Sequence, residues 1–318
     1  VLPLEIVKAA PNVRSGYITV GLGFGAFFAL PFIATVVSTR ERPAFQHEVQ
    51  PFRWRETFVE PFRVRTFVHA LAMYLLAFIA IDAVMSTVIY YMKYFLGRGD
   101  ETNYVTGTLL LAEVVAIPFY NWLSRRTNKR VGYIVGASVW MVTMLFSFAV
   151  VPAAPSFVVY VFAALVGLGV GGIVVMIYAI FPDIPDVDEL KTGQRREGIY
   201  SSMIAFTRKL SGAVALFLVS NSLALAGYVL PVEEVVAGVT KLVEQPQSDM
   251  FILTLRLIFA FVPIVLVGLS LLFAFRYPLT SKAHRRLSRV LEVRRSDETE
   301  SPEVRQEAEE LQRKLIGG

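Results

Sequence analysis

The chain of 318 residues is 55% hydrophobic with a mean hydropathy of +0.55, too apolar for an ordinary soluble domain. It has no cysteine, which excludes disulfides, thiolate chemistry and cysteine-based metal sites, and its histidines (His47, His69, His284) are too far apart to form a ligand motif. The net charge of +5 lies in short loops and a C-terminal tail rather than on one face, which argues against nucleic acid and for a lipid bilayer as partner.

Taken in chain order, the apolar runs predict seven transmembrane helices separated by charged connections. Residues 1–15 are mixed, and the first predicted span, 16–37, carries Gly16, Gly21, Gly23 and Gly25, small residues that permit close helix packing. Residues 38–65 hold six arginines, four glutamates and three prolines and read as a linker along the membrane surface. The second span, 66–92, contains Asp82, and the third, 104–123, contains Glu113 and Pro118. A basic turn at 124–130 leads to the fourth span, 131–151, and Pro152-Ala-Ala-Pro155 turns the chain into the fifth, 156–180. The sixth span, 200–228, carries Arg208 and Lys209, and the seventh, 250–275, follows an acidic loop and carries Arg256. In the tail from residue 276, Ser301-Pro302-Glu303 predicts a capped helix start with proline at the first helical position. Ala308, Leu311 and Leu315 give that helix one weak apolar face, read first as that of a solvated helix and second as an interaction surface.

Lys and Arg counts in the connections set the orientation. One set (38–65, 124–130, 181–199 and the tail) holds six, four, three and ten, whereas the other (1–15, 93–103, 152–155 and 229–249) holds two, two, none and one. The first set is expected in the cytoplasm, giving a multi-pass protein of the cell (inner) membrane with its N-terminus outside and its C-terminus inside.

The densest charge lies between the fifth and sixth spans. Residues 181–198 place Asp183, Asp186, Asp188, Glu189 and Glu197 beside Lys191, Arg195 and Arg196, with two prolines and a glycine at each end of the basic part. A loop of this composition reads as a gate more readily than as a plain connector.

The run Pro182-Asp183-x-x-Asp186-x-Asp188-Glu189-x-Lys191-Thr192-Gly193-x-Arg195-Arg196-Glu197-Gly198 is similar to the signature of the glycoside–pentoside–hexuronide cation symporters, the melibiose-permease branch of the major facilitator superfamily. In that family it joins the tenth and eleventh helices on the cytoplasmic side. Tyr90-Tyr91-x-x-Tyr94-Phe95-Leu96-Gly97 resembles the end of the family's seventh helix. The resemblance implies an all-α integral membrane protein whose spans correspond to helices six to twelve. Residues 1–37 would then hold the last helix of the N-terminal half, 38–65 the central loop, 66–275 the six-helix C-terminal half and 276–318 a cytoplasmic tail. The first five helices, which carry the family's cation-binding carboxylates, would be supplied by the same or another chain. The basic turn keeps only the basic end of a pattern common in the superfamily, with Asn121, Arg125 and Asn128 in its Gly, Asp and Gly places. Val170 to Met176 has no tryptophan where melibiose-type members have one near the sugar, a departure that bears on galactoside specificity.

A charge inside a span costs a few kcal/mol, about 2.5–3.5 on insertion scales, so each one needs a reason. Lys209 lies about nine residues into its span, near the midplane at ~1.5 Å per residue. By resemblance it matches the family's eleventh-helix lysine, implying a role beside a coupling cation, sodium or proton. Arg208 points about 100° away on the helix and is assigned to the loop acids. Asp82 is read equally as functional or structural, Glu113 as a cavity-lining or helix-pairing group, and Arg256 as an interfacial anchor. Tyr90 and Tyr91 fall at the outer boundary and are secondary candidates for lining a solute path. The transport or coupling set is thus Lys209, Asp82 and Glu113. The gate set is Asp183, Asp186, Asp188, Glu189, Arg195, Arg196, Glu197 and Arg208.

Three functions compete. The first is a cation-coupled transporter of sugars or related small solutes working by alternating access, with no cofactor, no metal site and no enzymatic activity. The second is a membrane enzyme holding a metal-diphosphate on the acids at 183–189, although two prolines interrupt those acids and no second acidic cluster accompanies them. The third is a seven-helix receptor, which shares only the number of spans and the orientation.

Overall fold

The computed structural model describes residues 2–39, 54–236, 239–296 and 301–317. The chain forms two compact units, Val1–Arg53 and Trp54–Gly318. Among the described residues seven helices are long and apolar enough to cross a membrane: Val13–Ser38, Arg65–Phe95, Gly99–Arg126, Lys129–Ala149, Ser156–Thr192, Glu197–Leu225 and Asp249–Arg276. All seven fall on predicted spans.

In the first unit α1 (Leu2–Ala9) packs on α2 (Val13–Ser38). Asn12 caps α2, its side chain accepting a hydrogen bond from the Ser15 amide at 2.8 Å. Gly16 is buried where a Cβ would lie 2.8 Å from the Val7 Cα, so the two helices touch there through backbone.

The second unit begins with α3 (Trp54–Phe58) and a 3₁₀ turn, Glu60–Arg63. Its six spans start with α4 (Arg65–Tyr90), which runs on into a π-helical turn, Tyr91–Phe95. Then come α5 (Thr102–Arg126), α6 (Lys129–Leu145) and α7 (Ser156–Ile180). The short α8 (Ile184–Thr192) follows, then α9 (Glu197–Leu225) and α10 (Asp249–Arg276). The tail forms α11 (Ser281–Arg295) and α12 (Pro302–Leu315). Between α9 and α10, a connection read from sequence as an acidic loop, β1 (Val232–Val236) pairs antiparallel with β2 (Val239–Val243), Val232 opposite Val243.

Helix α7 packs against α5 and α6, while α4 packs against α9 and α10. Lipid tails are as apolar as leucine, so apolarity alone does not bring these helices together; small residues that let backbones approach do. A Cβ at Gly167 would come within 2.2 Å of the Leu109 carbonyl oxygen, and one at Gly169 within 2.6 Å of the Trp140 nitrogen. The core between the helices is filled by large side chains, among them Trp140, Tyr74, Tyr133, Ile173 and Met176, all fully buried.

Two further sequence readings change. The stretch at 181–198 is mostly helix rather than loop, because its prolines sit in first turns, where a missing N–H costs no hydrogen bond. The tail helix starts where predicted, with the Ser301 side chain accepting from the Val304 amide and Pro302 in its first turn. Its apolar face is not solvated: Ala308, Leu311 and Leu315 are 2%, 1% and 0% exposed.

Candidate functional site

Charge gathers in two places. One is α8 and its surroundings; the other lies within the spans, between α4 and α9.

Helix α8 starts with Pro185 in its first turn and stops at Gly193, which adopts φ +67° and donates its amide to the Glu189 carbonyl at 2.8 Å. A left-handed residue there closes the helix and sends the chain back towards α9. Asp188 is fully buried, and Arg196 grips it with two bonds of 2.7 Å from Nε and Nη2. A pair so buried is costly to break, because the surviving charge is left without a partner. Arg196 also lies 3.9 Å from Glu60, and Arg195 donates from Nε to Glu197 at 2.5 Å.

The other acids reach partners far away in sequence. Asp183 accepts from Lys129 Nζ at 2.6 Å, and that ammonium also donates to the Ala179 carbonyl at 2.8 Å. Glu189 takes a bidentate pair from Arg295, with Nε at 2.8 Å and Nη2 at 2.5 Å. Asp186 stands among three cationic side chains: His284 at 3.5 Å, Arg295 at 3.7 Å and Arg195 at 3.8 Å. His284 Nε2 also lies 3.6 Å from Asp183.

Two carboxylates, Asp186 at 3.5 Å and Asp183 at 3.6 Å from His284 Nε2, favour a proton on His284. Its pKa is raised above the ordinary imidazole value, first by the Asp186 carboxylate and then by Asp183, against burial and the Lys129 charge. Lys191 is exposed and has no ion-pair partner among the described residues.

Within the spans, Arg208 of α9 meets Asp82 of α4, with Nη1 to Oδ2 at 2.6 Å and Nη2 to Oδ1 at 2.9 Å. The sequence assigns Arg208 to the loop acids; the structure gives it to Asp82, because about three helical turns, ~16 Å, separate Arg208 from Glu197, the loop acid in its own helix, and the acids of α8 are paired elsewhere. Its guanidinium also lies 4.8 Å from the Phe78 ring centre and donates to Ser211 Oγ at 3.3 Å. Beside it, Tyr74 and the half-exposed Tyr178 bring their hydroxyls to 3.5 Å. The buried stripe of α9 runs through Tyr200, Met203, Thr207, Ser211 and Ala215. Lys209 lies off that stripe, exposed, and has no ion-pair partner among the described residues.

Glu113 is half-buried on α5, where its backbone lies against Gly171 of α7. It is brought to neither charge centre. Tyr91 is 4% exposed, stacks on Phe259 at 4.2 Å and donates to the Ser147 carbonyl at 3.2 Å, a packing role in this unit. Tyr90 stacks on Tyr94 and meets Tyr228 edge to face. Arg256 lies over Phe95 and Phe148 at 4.5 and 5.7 Å.

Sequence reasoning missed Lys129, His284 and Arg295 as partners of the acids at 183–189, and Glu60 as a second partner of Arg196. Their pairings span gaps that local spacing does not reveal. The apolar face of the tail helix was the available signal, since a buried face places the tail's cations against whatever it covers. Among the described residues no group of three or more His, Asp or Glu is arranged to hold a metal ion.

Residues 1–281 match the family model described as MFS/sugar transport protein. The chain is 27% identical over 242 residues to an uncharacterised symporter of Synechocystis sp., covering 74% of this chain and 42% of that protein. It is 27% identical over 217 residues to sodium-dependent lysophosphatidylcholine symporter 1-A of Danio rerio, covering 67% of this chain and 38% of that protein. A glucuronide carrier protein homolog of Escherichia coli K12 is 27% identical over 202 residues, 63% of this chain and 41% of the relative. The chain therefore spans roughly two fifths of the length of these relatives. All three are named as transporters, none as an enzyme.

Proposed function

The chain belongs to the MFS/sugar transport protein family, and from that premise we propose that it forms the C-terminal part of a cation-coupled symporter working by alternating access. On this reading the remaining helices come from the same or another polypeptide, and the two halves rock about a site near the bilayer midplane. The observation that carries the proposal is the set of charges within the spans, Asp82 paired to Arg208, with the exposed Lys209 next to Arg208 in the chain but on another face of α9. Packing alone does not call for an ion pair in hydrocarbon, and charges in such places mark ion and solute paths.

Each residue then has a role. Arg208 and Asp82 neutralise one another and present a polar edge over Phe78 and Tyr178. Lys209 supplies the unpaired charge that competes with, or is neutralised beside, the coupling ion, sodium or proton. Glu113 remains a candidate for lining the cavity. Tyr90 holds the weaker candidacy at the outer end, with Tyr91 behind it. The α8 assembly is the cytoplasmic gate, facing inside with the tail while the N-terminus of this chain lies outside, an orientation that the Lys and Arg distribution supports.

The solute is a small molecule with a polar head, a sugar or related glycoside. The glucuronide carrier homolog favours that class, and the lysophosphatidylcholine symporter extends it to single-chain lipids. The test uses the intact protein in sealed vesicles, with a labelled glucuronide and labelled lysophosphatidylcholine offered under an inward sodium or proton gradient. Uptake of one of them that accumulates with a gradient and collapses with an ionophore is expected. Absence of gradient-driven uptake for both solutes, in correctly inserted protein, contradicts the proposal.

A further inference from the structure

A helix of nine residues such as α8 is marginal on its own and must be held by its neighbours. Much of what holds it comes from the C-terminal tail. The Leu190 carbonyl, one of the oxygens left open at a helix end, accepts from Arg294 Nη1 at 3.1 Å and Gln312 Nε2 at 2.8 Å. The neighbouring Glu189 is gripped at both oxygens by Arg295. Helix α11 thus reaches the end of α8 with two arginines, and α12 reaches the same carbonyl with a glutamine.

The other end of α12 does the reverse service for α4. The residue that caps α4, Val64, has no side chain able to accept a hydrogen bond. Carbonyls at the end of α12 take that place: the Arg65 amide donates to Ile316 at 3.0 Å, and Thr66 Oγ1, fully buried, donates to Leu315 at 2.7 Å. The negative end of α12 therefore abuts the positive end of α4, the favourable arrangement of two helix dipoles. The tail helices are tied to one another by Arg286, which donates to Glu307 at 2.5 Å and to Glu310 at 2.6 Å. Leu287, Val290, Leu311 and Leu315 are buried in the same hydrophobic cluster as Ile184 and Val187 of α8 and Phe67 of α4.

We propose that α11 and α12 are a positioning clamp, which fastens α8 to the base of α4 and sets the resting position of the gate. The proposal rests on the gate reading of α8 given above. The gate acids are not idle in this arrangement: Arg295 and His284 occupy Asp186, and Arg295 also occupies Glu189. A gate movement that takes α8 away from α4 has to release Arg294, Arg295 and Gln312 together. The clamp thereby makes α8 and the first helix of the six-helix unit move as one piece, and Arg295 and Gln312 act as positioning residues.

This chain has no cysteine, and the test uses the intact protein with any cysteine outside this chain replaced. Leu190, 1% exposed, is replaced by cysteine in the intact protein, and the exposed Gln194 by cysteine in a parallel control. Arg295→Gln with Gln312→Ala is then introduced, and the rate of maleimide modification is followed in open membrane fragments. Removing a charged hydrogen-bonded contact and a neutral one is expected to raise modification at position 190 by about tenfold, with position 194 unchanged. Arg295→Lys, with Gln312 retained, is expected to give a smaller rise. An unchanged rate at 190 in the double variant overturns the clamp. Equal rises at 190 and 194 overturn it too, since they report general loosening rather than release of α8. Because the labelling needs no transport, the two readings fail separately. A protein that labels as expected but moves no solute refutes the transport reading alone, and one that transports yet labels without change refutes the clamp alone.

Discussion

At the residue scale three side chains carry different burdens. Asp188 is wholly buried and its partner Arg196 nearly so, and removing one member of such a pair costs about 3–5 kcal/mol. Asp188→Ala should therefore lower the thermal midpoint of the purified protein markedly, whereas neutralising the exposed Lys191 should leave it unchanged. Lys209 makes the opposite prediction. It is exposed and unpaired among the described residues, so Lys209→Ala should leave the midpoint near the parent's while weakening ion-driven uptake. Uptake in Lys209→Ala vesicles that keeps the parent's dependence on ion gradient would remove Lys209 from coupling. His284 makes a pH prediction. Its pKa is raised in the folded protein by Asp186 and Asp183, against Lys129, so its stabilising effect is complete below the unfolded value of about 6.5 and is lost as pH rises through the higher folded value. A pH series of unfolding midpoints should fall across that window in the parent and run flatter in His284→Gln.

At the scale of elements, the spans were legible because a bilayer demands roughly twenty apolar residues, and no other feature of this chain produces such runs. The capped start of α12 was legible for a similarly local reason, since Ser301 and Pro302 act within one turn of themselves. The hairpin was hidden: Val232–Val236 carries two adjacent glutamates, which break the alternation that marks a strand. Helix α8 was hidden by its prolines, which read as interruptions and serve as first-turn residues. The acids and bases of the α8 assembly could be named from sequence, yet their partners could not. Arg295 lies 106 residues from Glu189, and Arg208 lies 126 residues from Asp82. Such pairings are fixed by which helices pack together, a property of the fold that no local spacing records. Gly193 is an exception that composition does reveal, because it supplies the left-handed residue closing α8. Gly193→Val places a branched side chain at φ +67° and should raise maleimide modification at Leu190→Cys by releasing the end of α8, while Gly198→Ala, which meets nothing within 4 Å, should not.

At the scale of the whole molecule, the spans, the intramembrane pair and the α8 assembly form one argument for alternating access. Topology comes first. Cysteines placed singly at Gln194 and Gln247 should be modified from opposite sides of sealed vesicles, and modification of both from the outside would reverse the proposed orientation. The central claim is that α8 gates a transport path, and Asp186, poised among Arg195, Arg295 and His284, is where the gate is least firmly committed to one partner. A shift of ~1.4 kcal/mol changes a two-state population tenfold, so loss of one charge there should be visible. The most direct measurement compares Asp186→Asn with the parent in vesicles, following both the reactivity of a probe in the cytoplasmic cavity and the ratio of accumulated to equilibrated solute. Higher probe reactivity is expected, with accumulation reduced more than equilibration. Unchanged reactivity and unchanged accumulation, in Asp186→Asn and in each of the other single neutralisations from 183 to 197, would leave the α8 assembly as an orientation signal and contradict the gate.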